Sequence, residues 1–138
     1  MDGLSMFEKA AEVIEDYKDE EHVRGTRDCN LLVLKLFDEE NYKKMKGHYT
    51  TIRGGVRVSK RVYGVRSMYE YLQKNESFVE VPKGFERPLD VIAFKESHNI
   101  YISLGTKWFG VTEGQYFGFV SPDAYSQEDY VIYRKENS

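Results

Sequence analysis

The stretch VIAFKESHNIYISLGTKWFGVTEGQYFGFV, residues 91–120, decides the fold class. Its β-branched and aromatic residues crowd into short runs at 91–94, 99–104, 107–111 and 116–120, with Gly105 and Gly114 between them. Such runs suit a pleated surface, and the glycines mark the turns of an antiparallel meander. Outward from this block, FVEV at 78–81 and YVIY at 130–133 continue the pattern, with Pro82, Gly84, Pro88 and Pro122 in the gaps. Five or six strands are expected. Before residue 75 the period is helical. Phe7, Ala10, Ile14 and Tyr17 recur at helix spacing over residues 4–19, while Glu8, Glu12, Asp16 and Lys18 take the other face. Asp28 is a good N-cap for a second helix with a stripe of Leu32, Val33, Leu36 and Phe37. Gly47 and the Gly54-Gly55 pair interrupt the pattern before a short helix through Val62 and another over 65–74. The expectation is one α+β domain over residues 1–138, with a helical half at about 4–75 packed on a curled antiparallel sheet at about 78–134.

Composition narrows the function classes. The 138 residues are one domain's length, and 41% hydrophobic with 31% charged is ordinary for a globular chain. One cysteine cannot form an internal disulfide, which fits a reducing place of synthesis. No apolar run approaches a membrane span, and the acidic start lacks the basic region of a signal peptide, so membrane insertion and general secretion are not expected. Twenty basic against twenty-three acidic residues give a net charge of −3, which supplies no global pull toward nucleic acid. Eight of the cations, Lys43, Lys44, Lys46, Arg53, Arg57, Lys60, Arg61 and Arg66, nevertheless cluster around Tyr49 and Tyr63. That segment reads either as a solvated helix face or as a contact for phosphates or an acidic partner. No Gly-rich phosphate loop, paired cysteine ligands, H-E-x-x-H or Asp/Asn calcium loop is present, so no cofactor and no metal are expected. The aromatic run Trp108, Phe109, Tyr116, Phe117 and Phe119 reads as core and interface, or less readily as a glycan-stacking groove.

Chemistry concentrates at Gly25-Thr26-Arg27-Asp28-Cys29-Asn30-Leu31-Leu32-Val33. A thiol in the first turn of a helix meets the positive end of the helix and its unpaired amides, which favour thiolate. The same position equally suits a small buried hydrophobe, the commoner fate of a free cysteine. A thiolate nucleophile needs a proton acceptor, and histidine is the usual one. His22 and His48 read as solvated surface residues. His98 opens the run His98-Asn99-Ile100-Tyr101-Ile102, where it is either a base that reaches a helix end or an exposed turn residue.

The segment G-T-R-D-C-N-L-L-V, followed later by S-H-N-I-Y-I-S-L-G-T-K-W-F, resembles the NlpC-type papain-like cysteine peptidases, which place D-C-S-G-L-V at a helix start and H-V-G-I-Y in the sheet. Pro88 to Phe94 is similar to the P-G-D-V-V-F strand that precedes the histidine strand in that family. Gly47 to Gly55 resembles the G-R-Y-R-T-x-R-G-A stretch of a short phage-encoded branch found among tail and virion genes. The resemblance implies an NlpC-type papain-like fold with Cys29 as nucleophile and His98 as base, active on a peptidoglycan stem-peptide amide. It also implies residence in a phage tail or connector after synthesis in the host cytoplasm, with other virion proteins as partners and nucleic acid not among them. The departures are specific. Asn30 and Leu31 replace the small Ser-Gly pair, and the region of the third polar residue holds Gly110 and Val111, with Thr112 and Glu113 next to them. Those departures point to an alternative, a catalytically inactive structural adaptor that binds neighbouring virion subunits.

Overall fold

A computed structural model describes residues 3–97, 99–125 and 129–136, with side chains from Met6 onward. His98 lies outside the described residues. The helical half comprises α1 (Gly3–Tyr17), α2 (Cys29–Phe37), α3 (Glu39–Met45), α4 (Ile52–Tyr63) and α5 (Met68–Lys74). The sheet half comprises β1 (Phe78–Val81), β2 (Val91–Phe94), β3 (Ile100–Ser103), β4 (Trp108–Val111), β5 (Phe117–Val120) and β6 (Tyr130–Lys135). The fold class is therefore α+β, with an antiparallel sheet of six strands in the order β1-β6-β2-β3-β4-β5.

Capping chemistry sets the helix starts. Asp28, Asp38, Thr51 and Ser67 each accept a hydrogen bond from a backbone N–H three residues on, which satisfies an otherwise unpaired amide of the first turn. Asp38 also closes α2, so one residue both ends that helix and starts α3. The stripe on α1 is the expected one except at Phe7, with Val13 in its place. Ala10, Val13 and Tyr17 are buried with Ile14 half-buried, whereas Phe7 is 51% exposed. On α2 the expected stripe widens to almost the whole circumference, with Leu31, Leu32, Val33, Leu34 and Leu36 all buried, because the helix is packed against α1, α3 and β3. Gly54 and Gly55 do not break a helix. They lie inside the first turn of α4, where a Cβ on Gly55 would come within 3.2 Å of the Tyr49 ring.

Strands β2 to β5 form the expected meander, but β6 enters the sheet between β1 and β2. Hairpin signals predict only local pairing, and this insertion is non-local. Both faces of the sheet are covered. Val91, Ala93, Ile100, Ile102, Phe109, Phe117 and Tyr133 face the helices, and alternation sends Ile92, Phe94, Tyr101, Trp108 and Ile132 to a second cluster. There Trp108, 1% exposed, packs within aromatic distance of Phe94, Tyr101, Tyr125 and Tyr130. Trp108, Phe109 and Phe117 are thus core residues, while Tyr116 and Phe119 reach solvent. Among the described residues no helix is long and apolar enough to cross a membrane.

A charged clamp fastens β6 to the loop that precedes β2. Arg134 donates from Nε to Asp90 Oδ1 at 2.9 Å and from Nη2 to Asp90 Oδ2 at 2.8 Å, and Nη2 also reaches the Phe85 carbonyl at 3.0 Å. The Asp90 carboxylate, 2% exposed, takes a further bond from the Arg87 N–H. Removal of one member of such a pair leaves the other charge unmatched, so Asp90→Ala should cost about 2–3 kcal/mol of stability in urea denaturation. A loss below about 0.5 kcal/mol would mean that β6 is held by its ladder alone.

Candidate active site

The Asp28 carboxylate organises the neighbourhood of Cys29. It is 5% exposed and accepts three hydrogen bonds from three segments: Leu31 N–H to Oδ1 at 2.8 Å, Gly25 N–H to Oδ2 at 2.9 Å and the Tyr49 hydroxyl to Oδ2 at 2.6 Å. The first bond starts α2 and so fixes Cys29 as its opening residue. The second closes the turn over 23–27, in which Val23 and Arg27 bridge and Gly25 takes φ +84°. A side chain at Gly25 would collide with the Tyr49 carbonyl oxygen. The third bond draws in Tyr49, whose ring Gly55 of α4 approaches closely. Asp28, Gly25, Tyr49 and Gly55 are therefore one packed unit.

Cys29 is half-buried and lines a cleft of about 560 Å³. One wall is α4 and the turn before it, with Tyr49, Ile52 and Val56; the opposite wall is the sheet, with Asn99, Ile100 and Tyr101 of the β3 segment, Val111 at the end of β4, and Thr112 and Glu113 after it. The Cys29 thiol contacts Asn30 Oδ1 at 3.9 Å. Burial, reinforced by the Asp28 charge, pushes the thiol up to about 12 from its ordinary 9.0, against the pull of the Ile100, Cys29 and Asn30 backbone amides. With the described groups alone, Cys29 is a neutral thiol at pH 7. The helix N-terminus favours thiolate, but a desolvated sulfur beside a buried carboxylate outweighs that favour.

His22 is a cleft residue, contrary to the expectation of a solvated surface histidine. The segment 19–22 runs along the free edge of β5, where Asp19 N–H and Phe117 N–H pair with Phe117 and Glu20 carbonyls and His22 N–H donates to the Gln115 carbonyl at 2.7 Å. That non-local pairing delivers the half-buried imidazole near Phe117, and burial pushes its pKa below the ordinary 6.5 even though Asp28 works in the other direction. His48 is exposed, as expected. Thr112 and Glu113 both line the cleft; the Thr112 hydroxyl donates to the Tyr116 carbonyl at 2.8 Å, and Glu113 is exposed. Gly110 and Val111 lie in β4 as the pattern requires. Asp28 and Cys29 follow from local capping rules, whereas Tyr49 and His22 reach the site only through contacts distant in sequence. Among the described residues no group of three or more His, Cys, Asp or Glu could hold a metal ion.

The Tyr49 hydroxyl is raised above its ordinary 10.0, by burial first and then by Asp28. Folded Tyr49 therefore keeps a proton that the unfolded chain releases above about pH 10. Its contribution is whole below about pH 9 and is lost as pH rises, so the urea midpoint should fall steadily between about pH 9.5 and 11. Tyr49→Phe, which removes a donor from a buried carboxylate, should cost about 2 kcal/mol at pH 7. A flat midpoint across that range, or a Tyr49→Phe variant as stable as the wild type, would contradict this account of the Asp28 cluster.

Residues 6–128 match the family described as a domain of unknown function, DUF6950. No protein of curated function matches the chain. The match spans most of α1 through the short 3₁₀ helix Pro122–Tyr125, and so includes Asp28, Cys29, Tyr49 and the whole cleft. With this much of its length covered, the chain belongs to the DUF6950 family.

Proposed function

We propose that the chain is a phage virion protein of the tail or connector, with an NlpC-type papain-like fold, that cleaves a peptidoglycan stem-peptide amide during cell-wall penetration. The observation that carries the proposal is the placement of Cys29. It heads α2 behind a buried carboxylate cap and lines a peptide-sized cleft, whose far wall holds Ser97, Asn99 and Ile100, the residues that flank His98 in sequence. The sequence resemblance supplies the remainder: the virion location, the cell-wall substrate and the role of His98 as base. In the reaction the Cys29 thiol gives its proton to the His98 imidazole and the sulfur attacks the amide carbonyl. The C–N bond then breaks as the amine takes the proton back, and water hydrolyses the thioester. In this reading the Cys29 and Asn30 backbone N–H groups, which already act on the sulfur, receive the oxyanion. Because burial and Asp28 push the thiol up, an imidazolium partner has to supply the charge that makes it a thiolate.

That same pKa direction favours a second reading. Without such a partner Cys29 stays neutral, and the chain is then a structural adaptor that binds neighbouring virion subunits through the same fold. Purified sacculi separate the two. The peptidase reading predicts the release of new amino termini by the wild type, with a loss of more than about 100-fold in Cys29→Ala and in His98→Ala while both variants stay folded. No release by the wild type, or undiminished release by Cys29→Ala, overturns it and leaves the adaptor.

A further inference from the structure

Charge is strongly segregated along this chain. No acidic residue occurs from Asn41 through Tyr69, which holds Lys43, Lys44, Lys46, Arg53, Arg57, Lys60, Arg61 and Arg66. On α4, Arg53, Arg57, Lys60 and Arg61 are all exposed, at the i, i+4, i+7, i+8 spacing of one helix face, and none has an ion pair among the described residues. Beside this row stand two exposed apolar side chains, Ile52 at 68% and Val56 at 36%.

The outer face of α1 carries the same pattern with the opposite sign. Glu8, Glu12 and Glu15 form an exposed row at i, i+4, i+7, also without an ion pair among the described residues. Exposed Phe7 and Ala11 and half-buried Ile14 each precede one of these acids, just as Ile52 and Val56 precede Arg53 and Arg57. Each residue step turns a helix by about 100°, so in both helices the apolar row lies on the same side of the charged row when viewed from outside with the N-terminus up. Two such faces brought together in parallel would set apolar against charge. Brought together antiparallel, they set apolar on apolar and acid on base, with Glu8 opposite Arg61, Glu12 opposite Arg57 and Glu15 near Arg53.

We propose that the chain self-associates by antiparallel docking of the acidic outer face of α1 on one copy onto the basic outer face of α4 on another. Donor and acceptor surfaces differ, so two copies either exchange both contacts or continue head to tail into a ring or filament. Ile52 and Val56 also line the Cys29 cleft, which places the docked helix at its rim. The proposal does not depend on cleavage by Cys29.

The test is the mass in solution of the full chain, by sedimentation at rising concentration, with charge-reversal pairs. The expected result is a concentration-dependent mass above the 16.2 kDa monomer at low salt, and a monomer near 1 M salt, where the screening length is about 3 Å. Arg53→Glu with Arg57→Glu should abolish association, as should Glu8→Arg with Glu12→Arg, and an equimolar mixture of the two variants should restore it. A wild type that stays monomeric at low salt overturns the proposal. So does association that both single reversals leave intact, or a mixture without recovery. A monomeric wild type that binds a 20-base-pair DNA duplex, with the binding lost in the arginine reversal, would reassign the α4 face to nucleic acid.

Discussion

The carboxylate of Asp28 is the contact on which the site depends. A buried anion in a protein interior is tolerated only with donors around it, and here the Leu31 and Gly25 amides and the Tyr49 hydroxyl supply them at 2.6–2.9 Å. The three donors come from the first turn of α2, the left-handed turn at Gly25 and the segment that leads into α4. One carboxylate thus fixes where the helix of Cys29 begins, how the loop before it folds and where the cleft's α4 wall stands. The same charge also works against the sulfur next to it. Together with burial it favours the protonated thiol, so in the proposed peptidase reading a charged partner has to outweigh both.

The sheet provides the second constraint. Its strands are buried on both faces, the helices covering one and an aromatic cluster around Trp108 filling the other, so β3 is held on all sides between β2 and β4. This strand faces the start of α2, so Ile100 and Cys29 line the cleft together. The bidentate pair between Asp90 and Arg134 ties β6 to the chain just ahead of β2 and keeps the inserted strand in register with its neighbours.

What could be read from the amino-acid order follows the range of the interactions. All six strands and the α+β class were legible because β-branched and aromatic runs between glycines and prolines are local signals. So was the Asp28 cap with Cys29 behind it, since capping operates over three residues. The insertion of β6, the division of α2 from α3 at Asp38 and the burial of α2 on nearly all sides were not legible, because each depends on what packs against the segment. Gly54-Gly55 misleads for a related reason: a glycine pair reads as a break, but here small residues allow α4 to approach the Tyr49 ring. Tyr49 and His22 carry no local mark of a role. Tyr49 gains one by reaching Asp28, and His22 by lying along the edge of β5, both contacts between distant parts of the chain.

The central claim is that Cys29 is a nucleophile prepared by a charged partner against the opposing effect of burial and Asp28. The pH dependence of Cys29 alkylation by iodoacetamide, in the wild type and in His98→Ala, tests it most directly. The account predicts a wild-type thiol that titrates well below its ordinary 9.0 and a variant that titrates near 12, the value to which burial and Asp28 push it. A wild-type thiol that itself titrates near 12, unchanged by the loss of His98, would contradict the claim and leave Cys29 as a packed residue of a structural protein.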